Sequence, residues 1–188
     1  MKYLDISNYL LLLNSTPLTF TIRSTDVHDD RHNKQHIPKH IHQYWNGKNA
    51  PHNLMSHCRK MHADWNYTLW TPESIGKLGV FHNRDKFVAY GKGEINGQSH
   101  IMRFSILREM GGIYLDADTL CLRRLDRFLQ YGYFARYEAK GNLQSNVPQS
   151  GLVATGVIGG VAQHPILIEL TDQLRTQKVY GPAWYVGM

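Results

Sequence analysis

Cysteine is nearly missing from this chain: Cys58 and Cys121 are the two in 188 residues. Two cannot build a disulfide framework, and neither has the Cys-x-x-Cys neighbour of a thiolate metal site, so free thiols and a reducing compartment are expected. Long apolar runs are missing as well. Tyr9 to Leu13 falls far short of the ~20 residues needed to cross a bilayer, and Asn14 and Pro17 prevent its extension. It also lacks the basic flank and small-residue cleavage site of a secretory leader. The expectation is a cytoplasmic chain without signal peptide or transmembrane anchor, with peripheral association at a membrane surface left open. No compact Lys/Arg run appears either. The net charge of +6 comes from 21 Lys and Arg against 15 Asp and Glu. That sign suits a diphosphate, an anionic glycan, a membrane surface or a nucleic acid, and the missing basic cluster argues against the last.

The composition is that of an ordinary globular domain, 42% hydrophobic and 19% charged. Residues 1–35 read as a polar N-terminal extension or linker, and residues 36–188 as one domain. His28, His32, His36 and His40 recur every four residues, but Pro38 breaks the helix that would align them on a metal. From Ile37 the texture alternates. A first strand around Ile41 leads through a loop at Asn46 to a helix over 51–61, then to an aromatic strand, Trp65 to Trp70. Thr71-Pro72-Glu73 is a helix-start signal. Later come an extended segment from Thr119 to Leu122, a short helix from Leu125, a strand from Tyr133 to Tyr137 and a polar loop over 140–150. A small-residue strand from Leu152 to Ile158 and a helix from Pro165 to Gln177 complete the series. Alternating strands and helices predict an α/β domain with a mostly parallel central sheet.

The central block runs from Ser99 to Asp118. Ile101, Phe104, Ile106, Leu107 and Met110 form a helical apolar stripe, and Gly111-Gly112 is a stop that turns the chain straight into a strand. On that strand Tyr114, Asp116 and Asp118 leave one face while Ile113, Leu115 and Ala117 leave the other. Two carboxylates so placed can share a divalent cation and leave room for phosphate oxygens. An isolated D-x-D is more often a solvated strand end. Here His100 and Arg103 share a helix face just upstream, which makes the constellation more specific. Tyr44, Trp45 and Gly47 fall at the carboxyl end of the first strand, where α/β sheets bind ligands.

The run from Arg103 through Gly111-Gly112-Ile113-Tyr114-Leu115-Asp116-Ala117-Asp118 resembles the signature of glycosyltransferase family 32, the DXD-containing sugar transferases that include yeast Golgi mannosyltransferases and vertebrate alpha-1,4 transferases. Ile37-Pro38-Lys39-His40-Ile41-His42-Gln43-Tyr44-Trp45 resembles the family's opening strand. Gly156-Val157-Ile158-Gly159-Gly160 with His164-Pro165, and Gly181-Pro182, resemble later segments.

The resemblance implies a GT-A type nucleotide-diphospho-sugar transferase fold. It implies transfer of a glycosyl group, with retention, from a UDP- or GDP-sugar donor to a carbohydrate or lipid-linked hydroxyl acceptor. Mn2+ or Mg2+ would be held by Asp118 and indirectly by Asp116, and Asp116, Asp118 and Arg103 would be catalytic. Trp45, Tyr44, His100, Arg103, Asp116 and Gly156 would bind the donor. The chain departs from the pattern at His100, where the family usually has an acid. It also ends at Met188, where relatives continue, so a C-terminal truncation is expected. The alternative is a catalytically degenerate nucleotide-sugar or glycan-binding protein.

Overall fold

The computed structural model describes residues 2–4, 36–91, 95–137 and 153–176. The extension up to Gln35 contributes one described strand, β1 (Lys2–Leu4), which runs parallel to β5 (Thr119–Cys121). Three residues inside the stretch read as a linker therefore pair with the domain, through a backbone ladder that needs no side-chain pattern to form.

The main sheet holds β2 (His40–Tyr44), β3 (Asn66–Trp70), β4 (Gly112–Leu115), β6 (Tyr133–Tyr137) and β7 (Val153–Gly160), in the order β3-β2-β4-β7-β6. β3, β2 and β4 are mutually parallel, and β7 is antiparallel to both β4 and β6. Only β7 runs against the rest, as expected of a mostly parallel sheet. Side-chain alternation divides the core between the two faces. Tyr44, Trp70, Tyr114 and Ile158 pack on one side, with α2 (Arg84–Tyr90), α3 (Ile95–Met110) and α4 (Pro165–Thr176). Ile41, Ile113, Leu115 and Phe134 pack on the other, with α1 (His52–Met61) and β5. Each such aliphatic or aromatic side chain, fully buried, contributes about 1.5–3 kcal/mol.

Helix α3 is buried all round from Ile101 to Leu107, because the sheet, α2 and α4 enclose it. It begins four residues before Ser99, and Met110, placed in the stripe from its spacing, is 38% exposed. Gly111 (φ 63°) and Gly112 (φ 103°) make the stop, with Gly111 N–H returning to the Leu107 carbonyl at 2.9 Å. A Cβ on Gly112 would meet the His40 carbonyl at 2.7 Å, so the two glycines let α3 feed β4 without a loop. The Thr71-Pro72 signal opens a 3-10 helix (Pro72–Lys77), with Thr71 N–H bonded to Ser74 Oγ at 2.8 Å.

The expectation of two free thiols is overturned. Cys58 on α1 and Cys121 on β5 form a disulfide across 63 residues. α1 packs directly on β5, a juxtaposition that no local sequence signal reports. Among the described residues no helix is long and apolar enough to cross a membrane. The 140–150 loop, Gly181-Pro182, His28 and His32 lie outside the described residues, and His40 sits on β2, not on a helix.

Candidate active site

The strand expected to carry both aspartates ends one residue before the first of them. β4 stops at Leu115, and Asp116 to Thr119 form a turn closed by Thr119 N–H on the Asp116 carbonyl at 3.0 Å. Strand alternation therefore holds through Asp116 and fails beyond it. Asp116 shares a side with Tyr114, whereas Asp118 stands out on the turn, exposed. The turn is the cause: Asp116 is still held to β7, its N–H on the Gly156 carbonyl at 2.7 Å just past the last ladder pair, Leu115 and Val157, and the chain then bends away.

Asp116 is drawn inward by Arg103. The guanidinium Nη2 donates to Asp116 Oδ1 at 2.6 Å, with side-chain exposures of 3% for Arg103 and 21% for Asp116. Nη1 donates to Thr155 Oγ1 and, at 3.0 Å, to His100 Nδ1. The cation lies over the Tyr114 ring, 4.7 Å from its centroid. Burial pushes the Tyr114 phenol up to about 12, against the opposing pull of Arg103. A buried cation is tolerated because it has a carboxylate, two further acceptors and an aromatic face around it. An arginine can only donate, so His100 Nδ1 accepts and the imidazole is neutral, with its proton on Nε2. His100 thus performs for Arg103 the acceptor part that an acid would perform.

Gly156 completes the pocket around Asp116, since a Cβ there would lie 2.6 Å from Asp116 Oδ2. The structure brings together Arg103, His100, Asp116 and Gly156, with Asp118 two residues further along the turn. Tyr44 is elsewhere. It is 4% exposed and packs edge-on against Phe87 in the core, its hydroxyl buried without a partner among the described residues. Trp45 lies at the end of β2, partly exposed, over Gly47, and its buried indole N–H has no partner among the described residues. The next residue, Asn46, bonds Gln98 on α3, and Gln98 donates to the Phe87 carbonyl at 3.1 Å, so this rim is tied to the helix that carries Arg103.

Sequence reasoning missed Thr155 as a side-chain partner, and it missed Gln43 and Tyr67. The signal for Gln43 was available: two consecutive polar residues, His42 and Gln43, inside a strand whose last four residues are all buried. Among the described residues no three His, Cys, Asp or Glu side chains converge as a ready metal cage. A cation at Asp118 would draw further ligands from phosphate oxygens and water.

Residues 50–135 match the family described as the glycosyltransferase sugar-binding region containing a DXD motif. Inositol phosphoceramide mannosyltransferase 3 of Schizosaccharomyces pombe is 30% identical over 142 residues, covering 73% of this chain and 37% of that protein. Mannosyl phosphorylinositol ceramide synthase SUR1 of Saccharomyces cerevisiae is 30% identical over 212 residues, covering 99% of this chain and 50% of its own length. The chain therefore spans at most about half the length of these two relatives. The solved structure of PaToxG glycosyltransferase superposes with a TM-score of 0.51 at 18% identity, over 77% of this chain and 63% of that one. At that identity the likeness supports the GT-A fold alone.

Proposed function

The chain belongs to the family of glycosyltransferases whose sugar-binding region contains a DXD motif, and on that premise we propose that it moves a hexose from a nucleotide-diphospho-sugar to a hydroxyl acceptor. Mannose is the first candidate sugar and an inositol-phosphate-bearing lipid the first candidate acceptor, because those are what the relatives carry in their names. The observation that carries the reading is a division of labour within the motif. Asp116 is held by Arg103, and Asp118 is exposed two residues further along the turn, at the ligand-binding end of β4.

The family implies a divalent cation, and the donor set fits Mn2+ or Mg2+: both groups are hard carboxylate oxygens. Asp118 would hold it directly, while Asp116, with Oδ1 committed to Arg103, would take a lesser or indirect share. When bound, the cation supplies charge neutralisation for the departing diphosphate. Arg103, nearly inaccessible, orients Asp116 and adds fixed positive charge beneath the donor. Trp45, partly exposed at the rim, offers an aromatic face for the base. Gly156 leaves space for Asp116. With Asp116 paired and Asp118 assigned to the cation, neither carboxylate of the motif is left as a nucleophile. The family resemblance implies retention, and without a nucleophile that means attack by the acceptor hydroxyl on the face the diphosphate leaves. The Cys58–Cys121 disulfide favours an oxidising compartment over the cytoplasm.

The test is release of nucleoside diphosphate from a panel of UDP- and GDP-sugars, with and without Mn2+. Wild type is expected to release it from one donor only with metal, and Asp118→Ala to lose on the order of 10²-fold or more. Nucleotide binding without release from any donor would make the chain a degenerate binder.

A further inference from the structure

Gln43 lies wholly buried in β2, directly beneath the aspartate turn. Its Nε2 donates to the Asp116 carbonyl at 3.2 Å, and its Oε1 accepts from the Tyr67 hydroxyl on neighbouring β3 at 2.8 Å. Donor and acceptor chemistry fixes this orientation. A carbonyl only accepts, so the amide NH2 must face Asp116, which leaves Oε1 for the phenol. Tyr67 is half-buried, and burial raises its phenol above the ordinary value, so it stays a donor at neutral pH.

The Asp116 carbonyl is also where the turn closes. It accepts Thr119 N–H at 3.0 Å, so both of its lone pairs are used. Ala117 and Asp118 are the central residues of that turn. The Asp116 N–H is taken by Gly156 and the Asp116 carboxylate by Arg103. Every polar group of Asp116 is thereby tied to another element: carboxylate to α3, N–H to β7, carbonyl to β2. Asp118, at the centre of the turn so anchored, is exposed.

We propose that Gln43, oriented by Tyr67, is a positioning residue that sets the tilt of the Asp116–Thr119 turn and so the aim of Asp118 at a cation and diphosphate. The inference rests on the donor-site reading above. Gln43 suits the task because it must donate at one end and accept at the other across the gap between β3 and the turn. Glutamate cannot donate there when ionised, and methionine can do neither.

The experiment compares wild type, Gln43→Met, Tyr67→Phe and the double variant. Mn2+ binding in the presence of GDP or UDP is read from loss of the free-Mn2+ paramagnetic resonance signal, and thermal midpoints are measured alongside. A positioning role predicts at least about tenfold weaker Mn2+ retention in Gln43→Met, with a smaller loss in Tyr67→Phe. In the double variant the midpoint recovers, because no half-buried hydroxyl is left without an acceptor, while Mn2+ retention stays weak. Recovery of both together would mean that Gln43 only satisfies the core, and would overturn the proposal, as would unchanged retention in Gln43→Met. Should Gln43→Met fail to fold, unchanged retention in Tyr67→Phe overturns it. Wild type that retains no Mn2+ with either nucleotide would bring down the donor-site reading itself.

Discussion

Gly156→Ala probes the site with one methyl group. The new Cβ would lie 2.6 Å from Asp116 Oδ2 and 3.3 Å from its Cγ, while ordinary contact begins at 3.4 Å, so the carboxylate must retreat by 3.4 − 2.6 = 0.8 Å. The glycine backbone cannot yield in its place, because its carbonyl holds the Asp116 N–H at 2.7 Å beside the β4–β7 ladder. The bond that stretches first is Asp116 Oδ1 to Arg103 Nη2, now 2.6 Å. Arg103 is 3% exposed and has no water to turn to. Losing a charge-assisted bond there costs about 1.5–3 kcal/mol, and overpacking alone costs a similar amount, about 1–3 kcal/mol. A net loss of about 2 kcal/mol lowers the melting midpoint by roughly 4–8 °C in a domain of this size. Metal-dependent donor turnover should fall tenfold or more, because Asp116 no longer sits where Arg103 holds it. Gly76→Ala, which would meet nothing within 4 Å, is the control. A Gly156→Ala chain matching wild type in midpoint and turnover would refute the packing argument.

The disulfide closes a loop of 63 residues, for which chain entropy gives about 4 kcal/mol. Reduction, or a Cys58→Ala/Cys121→Ala chain, should lower the midpoint by roughly 8–16 °C. Thiol titration of the unreduced, unfolded protein should find none, and two titrating thiols would contradict the pairing. Acid is expected to destabilise through His42. It accepts from Trp70 Nε1 at 3.2 Å on Nδ1 and therefore donates from Nε2 to the Gly111 carbonyl at 3.0 Å. Burial first, then neighbouring His40, pushes its pKa from 6.5 down to about 3. The folded pKa is the lower one, so the unfolded chain binds the proton more readily. Stability is full above about pH 6.5 and falls towards pH 3, by up to about 1.4 kcal/mol per pH unit. His40, His62 and His164 are lowered by burial too and add the same sign. Urea unfolding at pH 7, 6 and 5 measures the slope, His42→Gln should flatten it, and a flat wild-type profile would exclude the buried neutral imidazole.

Features governed by neighbours along the chain were legible from residues alone. The Gly111-Gly112 stop, the aromatic strand at Trp65 to Trp70, the Thr71-Pro72 start and the small-residue strand around Gly156 each arise from backbone preference or side-chain periodicity, which act within a few residues. The same locality made Asp116 and Asp118 look equivalent. Their difference, one drawn in by Arg103 and one left exposed, arises where the strand gives way to the turn closed by Thr119 N–H on the Asp116 carbonyl. Cys58 and Cys121 showed no sign of pairing for a like reason, since the contact between α1 and β5 exists only after folding. Gln43, Tyr67 and Thr155 are polar residues whose partners lie 73, 24 and 52 positions away. By itself the sequence determined the order of elements from Ile37 on, the two faces of the central strand as far as Asp116 and the place of the acidic motif. The tertiary structure decided which buried polar groups meet, because burying such a group is tolerable only beside a partner, and sheet topology brings those partners from distant parts of the chain.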